Sequence, residues 1–365
     1  MSTLKTTLTK WLKQPNVSVL AGALILTSIS QAQADESFHV EVWEPAFDMS
    51  SPRHQQDYVR LDKAQKQWDI CVSFPHMKDA YWTAVNYGIV SEAKRLGVQM
   101  QLVEAGGYTN LSKQISQIED CISSGADALV VGAISYDGLN NVIKEAKQKG
   151  IPVIDIINGV SSSDIAAKSL VSFGEMGFKA GEYLADLHPI GSEKVKVAWF
   201  PGPPGAGWVE AGNKGFQAAI KNSNVTLVET KYGDTGKETQ LKLVEDTLEA
   251  HPDINYIVGT AVTAEAAVVL LRSRELTDQI KLMSYYYTPA IHRAIQYGQV
   301  MAAPTDSTVI QGRIAIDQAV RILENKPYEK HVGPILTVVD TFNIQDFNQS
   351  AALAPTNFKP VFQVN

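Results

Sequence analysis

With 365 residues, 45% of them apolar, the chain is longer than one hydrophobic core usually organises, so two lobes are expected. Its 32 basic and 39 acidic residues give a formal net charge of −7, which speaks against nucleic acid or an anionic membrane surface as partner. Two cysteines, Cys71 and Cys121, with no CxxC and no paired histidines, carry no metal-site pattern.

The first 34 residues hold Lys5, Lys10 and Lys13 and no acid, then an apolar run from Val17 to Thr27, then Ala32-Gln33-Ala34 before Asp35. A basic start, a short apolar core and an A-x-A site read as a cleaved export signal at 1–34. The run is short of the roughly 20 residues a membrane-spanning helix needs. Cleavage takes three of the 32 basic residues and none of the 39 acidic ones, leaving a net charge of −10 on a periplasmic chain. No later stretch suits membrane insertion. Residues 35–66, polar and holding Trp43, Pro45, Pro52 and a charged stretch near Arg60, read as an arm packed on the first lobe.

From Trp68 short β-rich runs alternate with amphipathic helical stretches: Ile70–Phe74 then Ala80–Leu96, Gln99–Glu104 then Leu111–Ser124, Ala128–Gly132 then Asp137–Lys149. Gly97, Gly125 and Gly150 each follow a helix and precede a strand. The pattern resumes after Asp155–Asn158 with Val195–Phe200, Val225–Thr230, Tyr256–Gly259 and Lys281–Tyr287, each followed by a helical stretch. Strand-then-helix repetition implies parallel sheets with right-handed crossovers. The fold class is therefore α/β, two lobes in sequence, each a doubly wound parallel sheet. A short strand, Pro360–Val364, is expected in the tail. Cys71 falls in the first of the alternating strands and Cys121 in the helix before the third, neighbouring elements in such a sheet. A disulfide and two buried free thiols both fit.

Ligands of open parallel sheets collect beyond the carboxyl ends of the strands. Here these are His76–Trp82, Gly106–Tyr108, Ser135–Asp137, Asn158–Gly159, Pro201–Trp208, Gly233–Lys237, Thr260–Thr263 and Tyr286–Thr288. None presents catalytic machinery. The glycine-rich Pro201–Gly207 lacks the lysine and the serine or threonine of a phosphate loop and is stiffened by three prolines. The seven histidines have no i, i+3 or i, i+4 pairing, and only His76 stands where it could border a cleft. No enzyme, cofactor or metal is expected.

Lys78-Asp79-Ala80-Tyr81-Trp82, Ser123-Ser-Gly-Ala-Asp-Ala128 and Gly150-Ile-Pro-Val153 resemble segments of the ribose-binding and LacI-related periplasmic binding proteins, over about residues 68–345. The resemblance implies the two-lobed type I fold with three interlobe crossovers, near Ser172, Thr305-Asp306 and Val332-Gly333. It places the N-terminal lobe at 67–171 and 306–331, the C-terminal lobe at 172–305 and 332–346, and a tail at 347–365. Within the group, Lys78–Gly88, Glu104-Ala-Gly-Gly-Tyr108, Pro201-Gly-Pro203, Val258-Gly-Thr-Ala261, Ala264-Glu-Ala-Ala267, Phe358-Lys-Pro-Val361 and both cysteines are similar to members that bind trimethylamine N-oxide. Those members report to the periplasmic domain of a membrane sensor histidine kinase.

Trimethylamine N-oxide joins a methylated cationic nitrogen to a strongly accepting oxygen, and aromatic faces attract the former. Tyr81, Trp82, Tyr108, Phe173, Trp208 and one or more of Tyr285, Tyr286 and Tyr287 stand at strand ends or crossovers, although each ring alone would equally serve core packing. Sugar binders of the group hold an aspartate where Tyr286 stands and an Asn-Asp pair where Thr260-Ala261 stands, so the hydroxyl partners a sugar needs are gone. Asp79 could face the methylated nitrogen, share a proton with the N-oxide oxygen, or cap the helix starting near Tyr81. The group's pattern has tryptophan at Phe173 and a small residue at Trp208. The rival reading is a sugar- or polyol-binding subunit of an ABC importer.

Overall fold

The computed structural model describes residues 37–365, so the expected export signal lies outside the described residues. Through the first lobe run β1 (Ser37–Trp43), β2 (Arg53–Val59), β3 (Asp69–Phe74), α1 (Ala80–Leu96), β4 (Gln99–Glu104), α2 (Leu111–Ser123), β5 (Ala128–Val131), α3 (Asn140–Gln148), β6 (Val153–Ile156) and β7 (Ala167–Ser169). The second lobe holds α4 (Phe173–Leu187), β8 (Val195–Gly202), α5 (Gly207–Ile220), β9 (Val225–Tyr232), α6 (Lys237–Ala250), β10 (Tyr256–Gly259), α7 (Ala261–Ser273), β11 (Lys281–Ser284), α8 (Pro289–Gln296) and β12 (Ala302–Thr305). The chain then returns through α9 (Thr308–Leu323) and β13 (His331–Pro334), crosses again to β14 (Thr337–Asp340), and ends in β15 (Gln363–Val364).

The first sheet has the order β15-β4-β3-β5-β6-β7-β13-β1-β2. Its middle, from β4 to β13, is parallel, and β15, β1 and β2 are added antiparallel at the two edges. The second sheet, β11-β10-β8-β9, is parallel throughout, and β12 pairs with β14 in a separate antiparallel ribbon. In both main sheets the order reverses beside the first strand, β3 or β8, which opens a crevice at the carboxyl ends.

Local chemistry sets the elements that bear on this crevice. Asp79 ends the loop after β3 by accepting the Trp82 N–H, and Gly97 (φ 78°) closes α1 by donating to Ala93, which leaves the α1 N-terminus at the crevice. In each lobe two helices meet backbone to backbone through glycine. A Cβ on Gly88 would stand 2.3 Å from the Val309 carbonyl oxygen of α9, and one on Gly177 of α4 would stand 2.0 Å from that of Gly212 in α5.

Several expectations are refined. Residues 37–59 of the expected arm form a β-hairpin, and buried carboxylates hold its continuation in place. Asp317 accepts from the Tyr58 hydroxyl and the Leu61 N–H, both at 2.7 Å, and Glu324 accepts from the Trp68 indole at 3.1 Å. Val332 and Gly333, expected at a crossing, lie inside β13, and the chain leaves the first sheet only after Pro334. The tail makes a further crossing: Phe347 packs on Tyr287, Phe358 on Tyr87, and Gln363–Val364 pair with β4. The strand expected to reach Tyr287 stops at Ser284, whose hydroxyl donates to the Tyr286 carbonyl where the chain bends. Cys71 and Cys121 form a disulfide between β3 and α2.

Candidate functional site

The two sheets face each other across a small cavity lined by Asp79, Tyr81, Trp82, Tyr108, Asn158, Phe173, Trp208, Thr235 and Tyr286. All seven side chains singled out for ligand contact in the sequence meet there. Asn158 and Thr235 were not among them. Both follow strands, β6 and β9, so the strand-end position was the signal that could have found them.

Five of the rings that line the cavity are joined in a circuit of contacts that closes through His76, which lies outside the lining. Tyr81 meets Trp82 (centroids 6.0 Å apart), Trp82 meets His76 (6.3 Å), His76 meets Tyr108 (5.5 Å), Tyr108 meets Trp208 (6.1 Å), Trp208 meets Tyr286 (6.3 Å), and Tyr286 returns to Tyr81 (4.9 Å). Each contact is tilted or edge-to-face, the geometry that ring quadrupoles favour. Phe173 backs Trp208 at 5.8 Å. Of the three consecutive tyrosines only Tyr286 lines the cavity. Tyr285 turns beneath it and donates to the carbonyls of Phe173 and Trp208, both at 3.2 Å, so it fixes the backbone of two wall residues. Tyr287 points away to His292 and Phe347.

The polar groups are few and mostly committed. The Tyr81 hydroxyl donates to Asp306 at 2.6 Å, an aspartate at the crossover after β12 that also accepts from Gln311 at 2.7 Å. The Tyr108 hydroxyl accepts from Asn158 at 2.9 Å, which leaves its own proton to give. His76 accepts the Lys78 N–H at Nδ1, so its Nε2 carries the hydrogen directed at Thr235, 3.1 Å away. Burial first, and Lys78 second, press His76 down to about 4, so the ring is neutral at physiological pH. Burial lifts Asp79 to about 6 against the Trp82 N–H it accepts, with Glu265 and Asp234 adding negative charge. Burial also raises Glu265, whose carboxylate accepts from Thr288. Of the roles open to Asp79 in the sequence, the structure shows the cap on α1, and the same residue lines the cavity.

The cavity is small and suits a ligand of few heavy atoms. Its walls offer aromatic faces, one carboxyl group and a few hydroxyls, that of Tyr108 with its proton uncommitted, and among the described residues no lysine or arginine lines it. Such a site favours a compact, partly cationic and largely apolar solute with one accepting atom. It has too few hydrogen-bond partners for a sugar, whose unpaired hydroxyls would cost about 1–3 kcal/mol each.

Comparison with known proteins follows the same lines. The sequence profile of the periplasmic binding protein domain matches residues 70–327. Periplasmic protein TorT of Escherichia coli strain K12 is 33% identical over 82% of this chain and 86% of its own length. A solved ABC transporter solute binding protein from Bradyrhizobium sp. BTAi1, with bound bis-tris, is 60% identical, with a TM-score of 0.78 over 89% of this chain and 98% of that one. The complexes of the TorS sensor domain with TorT, without ligand and with trimethylamine N-oxide, match at 36% identity with TM-scores of 0.75 and 0.74, each over 81% of this chain and 100% of the other.

Proposed function

The chain belongs to the periplasmic binding protein family, and from that premise we propose that it holds trimethylamine N-oxide in the ring-walled cavity and reports its presence to the periplasmic domain of a TorS-like sensor histidine kinase. The single observation that carries the ligand is the gathering of six rings, Tyr81, Trp82, Tyr108, Phe173, Trp208 and Tyr286, around a space that also receives the Asp79 carboxyl group. The methylated nitrogen lies against ring faces, each desolvated contact contributing up to about 2 kcal/mol. Asp79, ionised, faces the same positive end. The Tyr108 hydroxyl donates its uncommitted proton to the N-oxide oxygen. Nothing is transformed: the groups bind and orient, and the chain acts as a binding protein, not as an enzyme. The sensor partner is supported by likeness to TorT over four fifths of the chain and by the solved TorS sensor domain complexes.

One observation favours a second reading, delivery of a tertiary amine to an ABC importer. The relative at 60% identity is named as a transporter's solute binding protein and was solved with bis-tris, itself a tertiary amine bearing hydroxyl arms. Calorimetry on the mature chain separates the readings. Trimethylamine N-oxide is expected to bind, and the loaded chain to bind the periplasmic sensor domain. A flat titration with trimethylamine N-oxide alongside a clear one with bis-tris or ribose would sink the first reading. Binding of the N-oxide with no sensor complex would transfer the protein to the importer.

A further inference from the structure

We propose that two clasps outside the ring circuit, the Lys78–Asp234 ion pair and the packing of Tyr136 on Gly207, hold the lobes closed over an occupied cavity and set how long the ligand stays. The inference deepens the function proposed above and rests on its reading of the cavity as the binding site.

The first clasp joins the loop after β3 to the loop after β9. Lys78 Nζ stands 3.3 Å from Asp234 Oδ2. The Asp234 loop is held rigid from below by Gln240, whose amide donates to the carbonyls of Gly233 (3.2 Å) and Asp234 (2.8 Å). Gln240 in turn accepts from Thr263 at 2.6 Å, and Thr263 shares a 2.7 Å hydrogen bond with Thr260. Gln240, Thr263 and Thr260 are fully buried, so the relay anchors the backbone that carries Asp234. Room for the pair comes from Gly107 of the first lobe: a Cβ there would stand 2.7 Å from Lys78 Nζ and 3.1 Å from Asp234 Oδ2.

The second clasp lies beyond β5. Tyr136 of the first lobe donates its N–H to the Gly205 carbonyl at 3.4 Å, and its ring covers the start of α5 so closely that a Cβ on Gly207 would come 2.5 Å from Tyr136 Cδ2. This accounts for part of the glycine-rich Pro201–Gly207, a segment that sequence alone leaves without a role. None of Lys78, Asp234, Tyr136 and Gly207 lines the cavity. They touch across the lobes and do not touch the ligand space, so their contacts count only when the lobes are closed. A ligand can favour closure only through contacts better made in that state, and clasps of this kind add to its dwell time without adding to its cage.

The test uses the mature chain loaded with trimethylamine N-oxide and follows its dissociation by stopped-flow tryptophan fluorescence. A partly exposed ion pair is modest, so Lys78→Met and Asp234→Asn should each speed dissociation about three- to fivefold, with association changed less. Lys78→Asp combined with Asp234→Lys should bring the rate back toward that of the parent. Gly207→Ala, at a position whose backbone accepts alanine, should act as a wedge. Combined with Tyr136→Ala it should be no worse than Tyr136→Ala alone, a non-additivity that a general loss of folding would not produce. X-ray scattering of the ligand-free chain gives a second readout: each single variant should be more extended than the parent. Because that arm needs no ligand, failure of trimethylamine N-oxide to bind would remove the proposed function and leave the clasps still tested. Unchanged dissociation and unchanged dimensions in the single variants, a charge swap that fails to restore, or additive effects at Tyr136 and Gly207 would each overturn the proposal.

Discussion

The first lobe brings Asp79, Tyr81, Trp82, Tyr108 and Asn158 to the cavity, whereas the second brings Trp208, Thr235 and Tyr286, with Phe173 at the crossover between them. The difference lies in kind as well as number. The first lobe supplies the carboxyl group, the hydroxyl with a proton to give and the amide that orients it. The second supplies two rings, one of them a tyrosine, and a threonine that accepts from His76. On the proposed reading, the cationic end and the accepting end of the ligand both find partners on the first lobe, and the second lobe adds rings and hydroxyls to the wall. The order that follows is docking on the first lobe, then closure. Substitutions in the first lobe should weaken binding itself, and those in the second should shorten residence.

The largest effect is expected at Trp82. Its indole is 2% exposed, packs on Phe74 at 4.5 Å and lies over Gly132, where a Cβ would come 2.6 Å from the ring. Trp82 thus serves core and cavity together. Trp82→Ala should lower affinity for trimethylamine N-oxide at least tenfold, about 1.4 kcal/mol, and also destabilise the fold by roughly 3–5 kcal/mol. Trp82→Phe, which keeps a π-face with a weaker quadrupole, should lose less of both. Titration of the folded fraction and a thermal melt on the same variant distinguish the roles. A folded Trp82→Ala chain with parental affinity would leave the ring as core packing only and remove the first lobe's claim to dock the ligand.

How much of this could be read from the sequence depends on the range over which each feature is determined. The boundaries of α1, its aspartate cap and its terminal glycine are settled within a few residues, and Ala80–Leu96 matches the expected span. The β2 strand, Arg-His-Gln-Gln-Asp-Tyr-Val, is an exposed edge whose polar side chains protect it from pairing with other chains and also hide its strand character. Strand-end position drew attention to the right loops but could not choose within them. Which of Tyr285, Tyr286 and Tyr287 enters the cavity depends on where β11 stops, at Ser284, and on the bend that follows. The pairs Tyr81 with Asp306, His76 with Thr235 and Tyr108 with Asn158 join residues far apart in the chain, and no local period encodes them. The tail's return to β4 is hidden for the same reason.

A somewhat smaller effect, and a sharper test of the first lobe's charge, lies in the pH response of Asp79. Its carboxyl group is lifted to about 6 by burial in the ligand-free protein. If the ionised form faces the methylated nitrogen, ligand binding favours loss of the proton. Affinity should then be full above about pH 7 and fall as pH drops through 6, by at most tenfold per unit. Protons should be released on binding near and below that pH, measurable by calorimetry in buffers of different ionisation enthalpy. Asp79→Asn keeps the cap and should abolish the slope. The same raised value carries a cost in stability. A carboxyl group whose folded value lies above its unfolded one loses stability as pH rises from about 4 to 6, and the loss persists at higher pH. Asp79→Asn should accordingly melt higher than the parent at pH 7 and not at pH 4. Proton uptake on binding, with affinity rising toward low pH, would reverse the assignment and make Asp79 the donor to the N-oxide oxygen.

The smallest effect is expected in the second lobe, at a residue that never touches the cavity. Tyr285 is fully buried and its hydroxyl bridges the carbonyls of Phe173 and Trp208, whose side chains form adjacent parts of the wall. The space for that hydroxyl is opened by Gly212, where a Cβ would stand 1.8 Å from it. Tyr285→Phe keeps the ring and its contact with Trp199 at 5.1 Å, and removes only the bridge. The stability lost should be about 1 kcal/mol, the net value of an ordinary buried hydrogen bond. Both bridged carbonyls belong to the crossover and the second lobe, so the loosened wall should be felt after docking. Dissociation of trimethylamine N-oxide should speed about two- to threefold while association stays the same, consistent with interface changes acting mainly through dissociation. Because Asp79, Tyr108 and Trp82 are untouched, the pH slope of affinity should also be that of the parent. A slower association rate in Tyr285→Phe would show that the second lobe takes part in the first encounter, and the division of labour between the lobes would fail at that point.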